Sequence, residues 1–163
     1  MPGRPTYFYW DSCTFLSYFN GNPDRLPTLQ ALLEQVVNSK DIRILTSTLT
    51  IVEVAYVLKE GVQDVSQETL EAIEDVWAER DILEFVEFHR VIAYAARELM
   101  RDAVRNGWKP LKPIDAIHLA TARVVARNAD VREVHTYDEE LWKWSKHLSL
   151  KICEPQVNQL LLF

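Results

Sequence analysis

Near the start of the chain, Tyr7-Phe8-Tyr9-Trp10 forms an unbroken apolar run that stops at Asp11. A short run without polar alternation suits a strand covered on both faces, as in parallel sheets packed between helices. The pattern recurs. Ile42–Thr46, Ile82–Phe88, Glu133–Thr136 and Leu150–Cys153 read as further strands. Between them the apolar spacing turns helical. A short helix is expected through Tyr18, and another over Leu26–Ser39. A third, capped by Ser47 or Thr48, carries Glu53 and ends near Gly61. A fourth starts at Ser66 with Leu70, Ile73, Val76 and Trp77 inward. Ile92–Asn106, Pro113 to about Asn128, and Asp138–Lys146 complete the set. Alternation of this kind predicts an α/β fold of three layers: a mainly parallel central sheet with helices on both faces. With 163 residues, one domain spanning 1–163 is expected.

In such sheets the functional crevice lies beyond the carboxyl ends of the strands. Four acids map there. Asp11 ends the first strand, and Asp138 follows Val134-His135-Thr136-Tyr137. Asp115 sits in the first turn after Pro113, and Glu53 lies in the apolar segment Leu49–Ala55. Each alone has an ordinary use as a strand end, helix cap or dipole partner. Together in one crevice, they are carboxylates in apolar surroundings that need neutralising, and a divalent cation is the natural partner. Ser12 and Thr136 stand beside the acids as supporting hydroxyls. Lys109, Lys112 and Arg123 flank Asp115 and suit phosphate, although a solvated surface is their commoner use. His118 lies one turn beyond Asp115, where a packed, hydrogen-bonded role outweighs that of base or ligand. Trp142 and Trp144 could stack bases, but core packing is the simpler reading.

Composition narrows the function classes. Eighteen Lys and Arg against 24 Asp and Glu give a formal charge of −6, which does not suit a protein that coats nucleic acid. The acidic surface does suit a basic partner segment. Two cysteines, Cys13 and Cys153, without a CxxC argue against a thiolate zinc site and suggest a reducing cytoplasm. No apolar run is long enough to span a bilayer, and nothing at the start resembles a signal peptide, so no membrane role is expected. The four glycines do not cluster into a phosphate-cradling turn, which excludes a dinucleotide-binding fingerprint.

Four stretches in this order and spacing resemble the PIN domain family of ribonucleases, and within it the VapC-type toxins. They are the apolar strand ending in Asp11-Ser12, Thr46–Val54 with Glu53, Leu111–Ala122 with Asp115, and Thr136-Tyr137-Asp138. The match covers almost the whole chain, and the third stretch is its most specific part. The resemblance implies an acidic pocket of Asp11, Glu53, Asp115 and Asp138 that holds Mg²⁺, or Mn²⁺ as the alternative. It implies hydrolysis of RNA to 5′-phosphate and 3′-hydroxyl ends, a cognate antitoxin protein and a homodimer. Glu139 stands next to Asp138 as the alternative fourth acid. The competing reading is a PIN-like module that binds protein or RNA without cutting. An aspartyl-phosphate enzyme built on Asp11 is disfavoured because Cys13, not Asp, stands two residues on.

Overall fold

Thr6–Trp10 forms the first strand, β1, and its side chains divide between two cores. Tyr7 and Tyr9 enter one core, Phe8 and Trp10 the other, as the two-residue period of a strand requires. The computed structural model describes residues 3–59 and 61–157. After β1 come α1 (Ser12–Phe19), α2 (Leu26–Asn38), β2 (Ile42–Ser47) and α3 (Leu49–Glu53). Then follow β3 (Val57–Lys59), β4 (Val62–Asp64), α4 (Gln67–Ala78), β5 (Leu83–Val86) and α5 (Arg90–Arg105). The chain continues through α6 (Pro113–Ala126), β6 (Asp130–His135), α7 (Glu139–Trp142), α8 (Ser145–Leu148) and β7 (Ile152–Cys153).

Five strands make one sheet in the order β5-β2-β1-β6-β7, and every pairing in it is parallel. Helices α5 and α6 pack Ile92, Ala96, Leu99, Ala116, Leu119 and Ala120 on the Tyr9 face. Helices α1 and α2 pack Phe15, Leu29, Leu32 and Val36 on the Trp10 face, with Trp77 of α4 beside them. This is the three-layer parallel architecture that the alternation of elements predicts. The seam Leu70, Ile73, Val76 and Trp77 is partly core: Ile73 is buried, and Val76 and Trp77 pack on the second cluster. Among the described residues no helix is long and apolar enough to cross a membrane.

Two expected elements differ. The helix carrying Glu53 stops there rather than near Gly61, and the chain turns into the antiparallel hairpin β3-β4. The β-branched residues Val57 and Val62 favour extended backbone, and Gly61 at φ 77° supplies the turn rather than a helix cap. Residue 60 lies outside the described residues. The helix expected over Asp138–Lys146 is two short ones, α7 and α8, broken at Lys143-Trp144. The buried Trp144 and Leu148 both face the first core. At both ends, the expected domain span of 1–163 reaches residues outside those described.

Candidate active site

The carboxyl edge of the sheet gathers the predicted acids from four segments. Asp11 directly follows β1 and caps α1. Its Oδ1 accepts from the Thr14 backbone N–H at 3.0 Å and lies 2.9 Å from the Thr14 hydroxyl. The same hydroxyl lies 3.1 Å from the His135 carbonyl, tying Asp11 to the end of β6. An Asp-x-x-Thr capping pattern is legible in sequence, so Thr14 could have been named from the start. These contacts fix the Asp11 carboxylate while it is only 6% exposed.

Glu53 closes α3 and is held at both oxygens. Ser12 donates from Oγ to Oε1 at 2.9 Å, and His118 Nε2 lies 2.7 Å from Oε2. A carboxylate only accepts, so the His118 proton sits on Nε2. On the far side of the ring, Nδ1 lies 2.7 Å from the Tyr9 hydroxyl. A chain of hydrogen bonds thus runs from the sheet interior through His118 to Glu53 and Ser12. His118 is the packed, hydrogen-bonded residue that the simpler reading expects, and Ser12 reaches a carboxylate. Tyr9 carried no sequence signal beyond its place in an apolar run.

Asp115 lies in the first turn of α6. Burial, then the neighbouring Asp138 and Asp11, raise its pKa from the ordinary value, and Lys112 offsets part of this. The three acids therefore share one electrostatic neighbourhood. Asp138 caps α7 through Oδ1, which accepts from the Glu140 N–H at 3.0 Å. The buried Thr136 accepts from the Asp138 N–H at 3.1 Å and so sets the backbone of that acid rather than its carboxylate. Asp115 and Asp138 line one pocket of about 380 Å³ with Trp108, Lys109, Lys112, Glu140 and Lys143. Glu139, the alternative acid, does not line it. Arg123 is absent from it too, whereas Trp144 lines it, mostly buried against Trp108. Trp142 donates its indole N–H to the Thr136 carbonyl.

A hard cation suits this set of donors, which is carboxylate and hydroxyl oxygen throughout. The raised Asp115 is an electrostatic deficit that such a cation relieves. The acids do not form a closed trio, however. Among the described residues, the only three His, Cys, Asp or Glu donors within 4.8 Å of one another are those of Glu133, His135 and Cys153. Mg²⁺ keeps several of its waters, so acids spaced in this way can act on it partly through water. The buried trio is a different object. Trp10 donates to His135 Nδ1 at 3.0 Å, and His135 Nε2 lies 2.8 Å from a Glu133 oxygen that also faces Cys153. Lys151 donates to the other Glu133 oxygen. Both imidazole nitrogens are thus engaged, and an ammonium already balances the carboxylate.

Neither cysteine is a ready nucleophile. Burial and the nearby Asp11 push the Cys13 thiol up to about 12. Burial and Glu133 push Cys153 up to about 11. Both remain thiols at neutral pH.

Comparison with known proteins agrees with this fold. A sequence model described as PIN domain matches residues 8–145. Ribonuclease VapC35 of Mycobacterium tuberculosis is 33% identical over 125 residues, covering 77% of this chain and 82% of that protein. Among solved structures, VapBC2 from Rickettsia felis, bound to a DNA fragment from its promoter, matches with a TM-score of 0.63. The match has 18% identity and covers 90% of this chain and 97% of that one. DNA-bound VapBC from Salmonella typhimurium matches with a TM-score of 0.60 and 17% identity, over 91% of this chain and 96% of that one. FitAcB from Neisseria gonorrhoeae matches with a TM-score of 0.59 and 16% identity, over 91% and 97% respectively.

Proposed function

The chain belongs to the PIN domain family, and from that premise we propose that it is a metal-dependent endoribonuclease, the toxin of a toxin–antitoxin pair. The observation that carries the reading is the acid set at the carboxyl edge: Glu53 pinned between Ser12 and His118, with Asp11 fixed by Thr14 beside Asp115 and Asp138. The relative named a ribonuclease supports the reaction class, and the VapBC and FitAcB neighbours share the fold.

In this reading Asp11, Asp115, Glu53 and Asp138 would hold Mg²⁺, with Mn²⁺ as the alternative. Once bound there, the ion would supply a more acidic water and charge relief at the phosphate. The chain's own groups do the positioning. Thr14 keeps one oxygen of Asp11 aimed and static. Ser12 and His118 hold Glu53 in one rotamer, so that its carboxylate orients an attacking water. Lys112, beside Asp115, offsets negative charge where the phosphate approaches. Thr136 sets the backbone from which Asp138 projects. In-line attack by water leaves a 5′-phosphate and a 3′-hydroxyl, and the ribose 2′-hydroxyl is not the nucleophile.

The partner expected is a cognate antitoxin with a basic segment, which the net charge of −6 favours. A homodimer in the cytoplasm, each copy a single nuclease domain, completes the proposal. The second reading, a binding module that does not cut, draws on the open spacing of the acids. One experiment separates the two. Partner-free protein is incubated with structured RNAs including tRNA, with Mg²⁺ or Mn²⁺, beside an EDTA control and Asp11→Asn. Metal-dependent cleavage is expected, and Asp11→Asn should lower it by about a hundredfold or more, the scale of losing one preorganised charge-stabilising group. RNA binding without cleavage, unchanged in Asp11→Asn plus Asp115→Asn, establishes the binding module instead. A 2′,3′-cyclic phosphate product would refute the mechanism.

A further inference from the structure

The pocket that begins at Asp115 and Asp138 extends away from the acids. Its outer half is built from the loop after α5 and from α7 with the residue following it: Trp108, Lys109 and Lys112 on one side, Glu140 and Lys143 on the other. Its volume of about 380 Å³ falls within the range of about 300–1,000 Å³ typical of small-ligand sites.

Trp108 is placed rigidly. Helix α5 ends with Gly107 at φ 65°, the Gly107 N–H bonds to the Val104 carbonyl, and the Trp108 N–H bonds to the Ala103 carbonyl at 2.8 Å. This pair of bonds is a Schellman motif, which fixes the direction of the residue after the glycine. The Trp108 ring then packs roughly perpendicular to Trp144 and His147, with centroids 5.1 and 5.2 Å away. Trp108 is nevertheless 41% exposed and lines the pocket. A rigid, partly open aromatic costs little entropy when a flat ligand stacks on it.

The charges complete the case. Lys143 pairs with Glu140 at 2.9 Å, and Lys109 and Lys112 line the same pocket. Three lysines face three carboxylates (Asp115, Asp138 and Glu140) in this pocket. In a chain of net charge −6, such local balance lets a phosphate approach without strong repulsion.

We propose that this pocket is a nucleotide subsite, in which Trp108 stacks on the base of the RNA residue next to the scissile phosphate while Lys109 and Lys143 hold its phosphate. The assignment rests on the ribonuclease reading and deepens it. Stacking of this kind tolerates any base, so the subsite holds the strand in register with the acids and leaves sequence choice to other contacts.

The test uses the full chain in EDTA, so that nothing is cut. The Trp108 indole N–H is identified by NMR through Trp108→Phe, and the protein is titrated with AMP, GMP, CMP and UMP, with inorganic phosphate as control. The nucleotides are expected to shift the Trp108 signal and phosphate alone to leave it nearly still. Affinity for a mixed-sequence RNA octamer should fall about tenfold in Trp108→Ala, a loss on the scale of one stacked base. It should recover in Trp108→Phe and fall severalfold in Lys143→Ala, whose exposed side chain spares the fold. A still Trp108 signal, with octamer affinity unchanged in both Trp108→Ala and Lys143→Ala, overturns the subsite. Metal-dependent cleavage by the wild type is measured in parallel. If the wild type cuts RNA and Trp108→Ala and Lys143→Ala cut with unchanged KM, the subsite fails and the nuclease stands. If nucleotides move Trp108 but no RNA is cut, the pocket stands and the nuclease reading fails.

Discussion

Two histidines, one on each side of the sheet, are wired almost identically and serve different ends. Tyr9 and Trp10 are neighbours on β1 and point to opposite faces. Tyr9 meets His118 at Nδ1, and Trp10 meets His135 at Nδ1. Each ring turns Nε2 toward a glutamate, Glu53 in one case and Glu133 in the other. The differences lie at the two ends of each chain. An indole can only donate, so His135 Nδ1 must be bare and the ring is locked in one tautomer. A tyrosine hydroxyl can donate or accept, so Tyr9 does not set the His118 tautomer, which the bond to Glu53 fixes. Glu133 is 3% exposed at its side chain and answered by Lys151, whereas Glu53 is 21% exposed and is held by Ser12, the residue after Asp11. One network is closed and fastens β6 to β1 and β7. The other opens onto the site.

If that contrast is correct, removing the two glutamates has opposite consequences. Glu133→Ala strands a buried imidazole N–H and empties space between strands. It should lower unfolding free energy by about 3 kcal/mol, measured by urea denaturation, with cleavage by the folded fraction nearly intact. Glu53→Gln should do the reverse. The amide oxygen can still accept from His118 Nε2 and the amide NH2 can donate to the Ser12 hydroxyl, so stability should change by less than about 1 kcal/mol. Cleavage should drop by about 10–100-fold, the usual cost of disturbing groups that orient a metal site, measured as kcat/KM on an RNA substrate. Equal stability losses in the two variants would dissolve the distinction between closed and open networks.

Titration sharpens the same contrast. The hydrogen bond from His135 and, after it, Lys151 hold the Glu133 carboxyl down at about 2, against an ordinary 4.5. A depressed carboxyl contributes stability that is complete above its unfolded value and is lost as pH falls toward the folded one. The wild type should therefore weaken between about pH 4.5 and pH 2 through this group. Thermal melts of Glu133→Gln should show a flatter acid limb and a gap from wild type that narrows as pH falls. Asp115 runs the other way. Its raised pKa makes the charged form a cost in the metal-free protein, felt as pH rises through the folded value. Mg²⁺ at a hundred times its Kd should add about 2.7 kcal/mol of stability, and Asp115→Asn should blunt that gain. A gain as large in Asp115→Asn as in wild type would remove Asp115 from the metal set.

The parts of this molecule that were legible in sequence are those encoded by contiguous segments. The five parallel strands announce themselves by short apolar runs, and Asp11 and Asp138 can be placed because each follows such a run. Asp115 can be placed because Pro113 opens its helix. The hairpin after Glu53 was not legible, because Val52, Val54, Val57 and Leu58 satisfy a helical spacing as well as an extended one. Gly61 can likewise end a helix or turn a hairpin. The histidine networks were hidden for another reason. Tyr9 and His118 are 109 residues apart, and Trp10 and His135 are 125 apart, so no local pattern marks either pair. The Trp108 pocket is likewise made by residues 108–115 meeting 138–144.

The smallest effect tests the shared part of the two networks, the aromatic link to Nδ1. Tyr9→Phe keeps the ring in its core place and deletes only the hydroxyl. That hydroxyl bonds His118, and Thr121 and the Ser47 backbone also approach it. The loss should cost about 1 kcal/mol, the net worth of a typical buried hydrogen bond, measured by urea denaturation. Cleavage should fall less than in Glu53→Gln, because Ser12 still holds Glu53 at Oε1. His118 would then be steadied from one side only, and the defect should deepen when Ser12→Ala is added, beyond the sum of the two single changes. Groups that share one partner couple in this way, whereas independent ones add. Strict additivity of Tyr9→Phe and Ser12→Ala in kcat/KM would mean that the Tyr9–His118 link does not reach Glu53. The likeness between the two histidines would then be one of geometry alone.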